Sequence, residues 1–262
     1  MAVIGFIGTG NMGGALARAV AKDSSLQLLL SNRHPEKAEA LSREIGGQVV
    51  DNETLVGLAD YVFLGVKPGM VSGLLTGLLP ILSKRAVPPV LVSMAAGVSL
   101  AQLQELSGSL CPIIRILPNI PVSVGAGVTL YAPNGDLSRE QLDGFLSMMR
   151  FSGYLLPMDE ALFDAGSAVA GCGGAFAALF LEGLADGGLA CGLPREQAYL
   201  LAEQMILGAA KWLMENKELP AALKDATCSP GGTSIRGVRA AELGGLRAAA
   251  MEAVIAAYGG LD

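Results

Sequence analysis

The sequence predicts an α/β fold: a largely parallel sheet wrapped by helices over residues 1–157, then an all-helical part over residues 158–262. Three observations predict it. Short apolar runs alternate with helix-like segments through the first half. A glycine-rich turn directly follows the first apolar run. From about Pro157 the strand-like runs stop, and Ala, Gly, Leu and Met at helical spacing take over.

Taken in order, Val3–Ile7 reads as the first strand and residues 11–21 as the first helix. Residues 26–30 form the next strand, and Pro35–Ile45 the next helix, opened by Pro35 in its first turn with Glu36 behind it. Residues 61–66 and 90–94 are further strands, residues 113–117 and 128–131 extend the sheet, and residues 138–149 form a helix begun by a Ser cap. In the second part, residues 162–191 give one helix or two, Arg195–Asn216 another, and residues 235–258 the last. Gly192-Leu193-Pro194 and Ser229-Pro230-Gly231-Gly232 mark the turns.

A net charge of −6 argues against a nucleic-acid partner, since phosphate binding needs a surplus of Lys and Arg on one face. Hydrophobic residues make up 52% of the chain, so extra apolar surface is expected to be hidden between subunits of an obligate oligomer. Residues 165–181 carry no charge. They fall short of the roughly 20 residues a membrane span needs. Gly166, Gly171, Gly173 and Gly174 interrupt them, and a protein-buried helix is expected rather than a span. The N-terminus lacks a basic segment before a long apolar one, which points to a cytoplasmic protein. Cys111, Cys172, Cys191 and Cys228 are too scattered for a metal site or a disulfide framework, and buried free thiols are expected.

Gly8-Thr9-Gly10-Asn11-Met12-Gly13 follows the first strand and opens a helix. In such a turn Gly8 permits the sharp bend, Gly10 lets a pyrophosphate approach the backbone, and Gly13 lets the helix sit close to the strand. The helix start supplies free N–H groups and a positive dipole end. This is the fingerprint of a Rossmann-like dinucleotide site. The second strand ends in Ser31-Asn32-Arg33, with no carboxylate to repel a 2′-phosphate, so NADPH is preferred and NAD remains possible. His34, the single histidine, lies on the same rim, far from a nicotinamide. Later strands end in Gly65-Val66-Lys67-Pro68 and Met94-Ala95-Ala96-Gly97, which should border the cofactor groove beyond the carboxyl edge of the sheet.

The second part offers no metal-ligand set and no nucleophile–base pair. Reduction of a carbon–nitrogen double bond needs neither, because a protonated imine already draws hydride. The one site-like element is Cys228-Ser229-Pro230-Gly231-Gly232-Thr233-Ser234, leading into a helix. It is either a cradle for a carboxylate or a helix cap in which Ser or Thr satisfies N–H groups.

Several stretches together resemble the pyrroline-5-carboxylate reductase family. They are Gly5-Phe6-Ile7-Gly8-Thr9-Gly10-Asn11-Met12, Val66-Lys67-Pro68, Ala95-Ala96-Gly97 and Arg115-Ile116-Leu117-Pro118-Asn119-Ile120-Pro121. Ala185-Asp186-Gly187-Gly188 follows, then Leu223-Lys224-Asp225 ahead of Ser229-Pro230-Gly231-Gly232-Thr233. These run in family order across nearly the whole chain, and the Ser-Pro-Gly-Gly element after Leu-Lys-Asp is the most specific.

The resemblance implies reduction of 1-pyrroline-5-carboxylate to L-proline with NADPH or NADH. It also implies a homodimer, or a larger assembly of dimers, whose helical dimerisation and substrate domains interlock. Carried over by motif, Asn11, Met12, Asn52, Gly65, Val66, Lys67, Pro68, Met94, Ala95, Ala96 and Asn119 contact the cofactor. Ser229, Gly231, Gly232, Thr233 and Ser234 hold the substrate, with Ser234 near the imine nitrogen as the catalytic residue. The chain departs from the family at Ser234 and Ile120, where Thr is usual, and at Gly171-Cys172-Gly173-Gly174-Ala175, where Gly-Ser-Gly-Pro-Ala is usual. A weaker resemblance to beta-hydroxyacid dehydrogenases lacks their lysine motif, Lys211 lying outside any recognisable version of it. A non-catalytic dinucleotide-binding relative is the third alternative.

Overall fold

Strand β1 (Val3–Ile7) lies inside the sheet and is apolar without alternation, as expected of a strand covered on both faces. The computed structural model describes residues 1–259, so the last three positions of the expected second domain lie outside it. The remaining strands are β2 (Gln27–Ser31), β3 (Gln48–Val49), β4 (Tyr61–Leu64), β5 (Val90–Ser93), β6 (Ile113–Pro118), β7 (Gly127–Pro133) and β8 (Gly153–Pro157). Their order is β3-β2-β1-β4-β5-β6-β7-β8, parallel except where β7 runs against β6.

Helices α1 (Asn11–Val20), α2 (Pro35–Ile45), α3 (Asn52–Leu58), α4 (Val71–Leu82), α5 (Leu100–Leu106) and α6 (Arg139–Met149) cover the two faces. One core gathers Ile4, Phe6, Leu16, Phe63 and Phe145, with Phe6 and Phe63 stacked at 4.5 Å between ring centres. The other gathers Leu29, Leu55, Val62 and Leu75. The register pairs Ile7 with both Ser31 and Leu64, so β1, β2 and β4 end level with one another. That common edge positions the site.

The chain divides into two compact units, Met1–Gly171 and Cys172–Asp262. The first closes with a 3₁₀ turn at Glu160–Leu162, helix α7 (Phe163–Gly166) and a π-helical turn at Ser167–Gly171. This segment is fastened to the sheet by Arg115 of β6. The Arg115 Nη1 donates to Glu160 Oε1 at 2.7 Å, its guanidinium lies 4.9 Å from the centre of the buried Phe163 ring, and the Leu100 amide donates to the same carboxylate oxygen at 2.7 Å. The second unit comprises α8 (Gly173–Ala190), α9 (Arg195–Asn216), α10 (Pro220–Thr227), α11 (Thr233–Leu243) and α12 (Leu246–Gly259).

Three expectations need correction. The helix foreseen over residues 235–258 is two helices, because Gly244 and Gly245 interrupt it and Gly245 takes φ +74°, where a glycine is favoured. The apolar stretch within Glu160–Ala190 is long and apolar enough to cross a membrane by length and composition, yet only 11% of it is buried by the chain itself. Of the four cysteines, all free, Cys111 is buried while Cys191 is exposed and Cys172 and Cys228 are half-buried.

Candidate functional site

A groove of about 1300 Å³ opens along the common edge of β1, β2 and β4, more than the roughly 300–1,000 Å³ of an ordinary small-ligand pocket. Its floor is the glycine turn after β1. A Cβ on Gly13 would fall well inside contact distance of the Gly8 carbonyl oxygen, and one on Gly65 would strike the same atom, so three glycines let α1 and the β4 loop close on the β1 turn. Gly8 itself takes φ +95°. Gly10 differs from all three. Its φ −72° and ψ −163° suit any residue, and nothing lies within 4 Å of where its Cβ would be. The turn is built for close approach by something outside the chain, which fits a dinucleotide pyrophosphate at the start of α1.

Side chains at the end of β2 brace this floor. Asn32 Oδ1 accepts from the Thr9 amide at 3.2 Å while Asn32 Nδ2 donates to the His34 carbonyl at 3.0 Å, so one amide joins the glycine turn to the β2–α2 turn. Ser31 Oγ donates to Asn52 Oδ1 at 2.6 Å. Asp51 caps α3 by accepting from the Thr54 amide at 2.7 Å, and that bond holds its carboxyl below the usual carboxylate range. Arg33 is exposed on the rim with no acidic partner among the described residues.

Of the residues expected at the cofactor, Gly8, Gly10, Ser31, Asn32, Arg33, Asn52, Gly65, Val66 and Lys67 line the groove together. Asn11 and Met12 open α1, and Pro68 opens the 3₁₀ turn Pro68–Met70. Met94, Ala95 and Ala96 follow β5, with Ala95 buried. Asn119 follows β6 with both side-chain groups engaged: Oδ1 accepts from the Val128 amide at 2.8 Å and Nδ2 donates to the Ala170 carbonyl at 3.0 Å. Sequence reasoning missed Lys37, Val49, Val50, Asp51, Met70, Gly73 and Leu74 in the lining. Asp51-Asn52-Glu53-Thr54 was legible as a helix start, and Lys37 is one turn beyond the Arg33 that was read.

In the second unit, residues 228–232 connect α10 to α11. Gly231 takes φ +69°, the Gly232 amide donates to the Ser229 carbonyl at 3.0 Å, and a Cβ on Gly232 would strike Ser229 Oγ. Gly232 is the N-cap of α11, and no side chain caps that helix. The capping alternative is therefore not what Thr233 and Ser234 do. Both are exposed, and no side chain caps the first-turn N–H groups of α11.

Residues 160–260 match the family described as pyrroline-5-carboxylate reductase dimerisation, and residues 3–97 the one described as NADP oxidoreductase, coenzyme F420-dependent. The chain is 37% identical to the pyrroline-5-carboxylate reductase of Escherichia coli, over 96% of this chain and 94% of that one. It is 39% identical to that of Arabidopsis thaliana, over 97% and 92%. Among solved structures, a pyrroline-5-carboxylate reductase from Coxiella burnetii superposes with TM-score 0.90 at 30% identity, covering 98% of this chain and 96% of that one. The Plasmodium falciparum enzyme with NADP bound gives 0.85 at 28% identity, covering 99% and 97%.

Proposed function

The chain belongs to the pyrroline-5-carboxylate reductase family, and from that premise we infer that it reduces 1-pyrroline-5-carboxylate to L-proline with NADPH or NADH, the last step of proline synthesis. The observation that carries the reading is full-length similarity to such reductases combined with a glycine turn whose central Gly10 is kept clear for a ligand rather than for the fold.

A dinucleotide held by the groove residues would supply the hydride that a C=N bond accepts. The chain's own residues bind and orient. Gly8, Gly10, Asn11 and Met12 receive the pyrophosphate at the start of α1, and Lys67, after β4, adds a cation to the groove lining. Thr233 and Ser234, with the free amides of α11, hold the substrate carboxylate, and Ser234 is assigned as the residue that places a hydroxyl near the imine nitrogen. No acid stronger than a hydroxyl is required, since the protonated imine already carries its proton. Lys211, which lies outside the lysine motif of the hydroxyacid dehydrogenases, pairs with Glu215 of its own helix at 3.7 Å on an exposed face.

The exposed apolar side chains of the second unit, among them Leu179, Leu200, Leu201 and Met251, are assigned to a homodimer contact, consistent with the dimerisation match over this region. A larger assembly of dimers, a cytoplasmic setting, and the absence of membrane and nucleic-acid partners complete the proposal.

Oxidation of NADPH by the purified protein in the presence of pyrroline-5-carboxylate, with proline formed in equal amount, is the expected result. Nucleotide binding without turnover favours a non-catalytic relative, and turnover of a hydroxyacid alone overturns the assignment. Replacing Thr233 and Ser234 together by Ala should raise the Michaelis constant for pyrroline-5-carboxylate by about tenfold or more, because charge-assisted hydrogen bonds are lost. NADPH affinity should be unchanged. An unaltered Michaelis constant removes the pair from the substrate site.

A further inference from the structure

We propose that Lys37, acting with Arg33, reads the 2′-phosphate of NADPH and sets the preference for it over NADH, an inference that rests on the nucleotide reading of the groove given above. The sequence alone points to Ser31, Asn32 and Arg33, but the geometry ties two of the three into the chain. The Ser31 hydroxyl is given to Asn52, and the Asn32 amide accepts from Thr9 and donates one N–H to His34, which leaves a single neutral N–H for a ligand. Arg33 is the only cation of the three. One guanidinium does not balance a phosphate monoester, which carries a charge of about −1.5 to −2 at neutral pH.

Lys37 supplies the missing charge. It stands in the first turn of α2, one turn beyond Arg33, and lines the same groove. Like Arg33, it has no ion-pair partner among the described residues, whereas Arg18, Arg139, Arg150, Arg195 and Arg247 each hold a carboxylate. The acid beside it in sequence, Glu36, faces His34 at 3.7 Å. The one carboxylate in the groove lining, Asp51, is engaged at the start of α3. The adenosine end of the groove therefore presents two unpaired cations at the N-terminus of a helix whose own end favours negative charge.

Lys37 is exposed, so its replacement leaves folding intact. Equilibrium titrations of the intact protein with NADPH and NADH, and with 2′,5′-ADP against 5′-AMP, test the assignment. Lys37→Gln should weaken NADPH and 2′,5′-ADP by about tenfold while changing NADH and 5′-AMP less than twofold. Lys37→Arg should keep the selectivity, and Arg33→Ala should shift it in the same direction as Lys37→Gln. Equal losses for both members of each pair, or an undiminished NADPH affinity, overturn the proposal. Failure to reduce pyrroline-5-carboxylate would sink the functional reading by itself, since the nucleotide titrations decide Lys37 independently of turnover.

Discussion

Gly13→Ala is expected to cost the first unit more than about 4 kcal/mol and to abolish NADPH binding, whereas Gly10→Ala should leave stability within about 1 kcal/mol and still weaken NADPH by about a hundredfold. The two glycines stand three residues apart in one turn and are needed for opposite reasons. A methyl group on Gly13 meets the backbone oxygen of Gly8, in a crowded spot where Gly8, Gly13 and Gly65 already approach one another. Helix α1 must then lift away from β1, taking Leu16 and Val20 out of the core. A methyl on Gly10 meets only empty space and a permitted backbone conformation. Its cost appears when a pyrophosphate tries to occupy that space. Thermal unfolding at fixed protein concentration, paired with fluorescence titration of NADPH, separates the two variants. A Gly10→Ala protein that binds NADPH at full strength would mean that the turn is kept open for something else.

The second large effect is expected at Arg115. Glu160→Ala strands a guanidinium that is only 7% exposed, with Nε already lacking a hydrogen-bond partner, on the buried face of β6. The expected loss is about 3 kcal/mol, the lower end for a broken buried pair because the Glu160 side chain is 27% exposed. Arg115→Met combined with Glu160→Leu should recover part of it, since an apolar pair of similar size suits the surroundings of Phe163, Leu130 and Ala132 while the Leu100 amide still lacks its acceptor. Denaturant unfolding of Arg115→Met, Glu160→Leu and the double variant makes the cycle. Additive losses, with no recovery in the double variant, would show that the pair does not hold the segment 160–171 to the sheet.

Much of the first unit was legible because its elements announce themselves locally. Val3–Ile7 followed by a glycine turn, Pro35 at a helix start and Ser138 ahead of Gln141 each carry a physical signal within a few residues, and Ser138 indeed forms a reciprocal cap with Gln141. Elements whose own residues argue against them were missed. Helix α4 contains Gly73, Gly77 and Pro80, and its burial through Leu75 and Leu78 overrides those poor formers. Strand β3 has two residues, too few for any period to show. Helix α3 was hidden by its seven-residue length although Asp51 caps it. The Arg115–Glu160 pair joins positions 45 residues apart and leaves no trace in any local pattern. The site showed the same division. Ser31, Asn32 and Arg33 were recognisable as a group, but which side chains are already bonded within the chain is a matter of tertiary geometry.

The Asn32 amide also bears on how the groove receives its ligand. With one end on Thr9 and the other on His34, it yokes the two loops that would meet opposite ends of an adenosine diphosphate. They form a single preset jaw, so the entropy of ordering them is met during folding rather than at each encounter. Discrimination between nucleotides is then left to fixed charges on the rim instead of to a loop that closes over one and not the other.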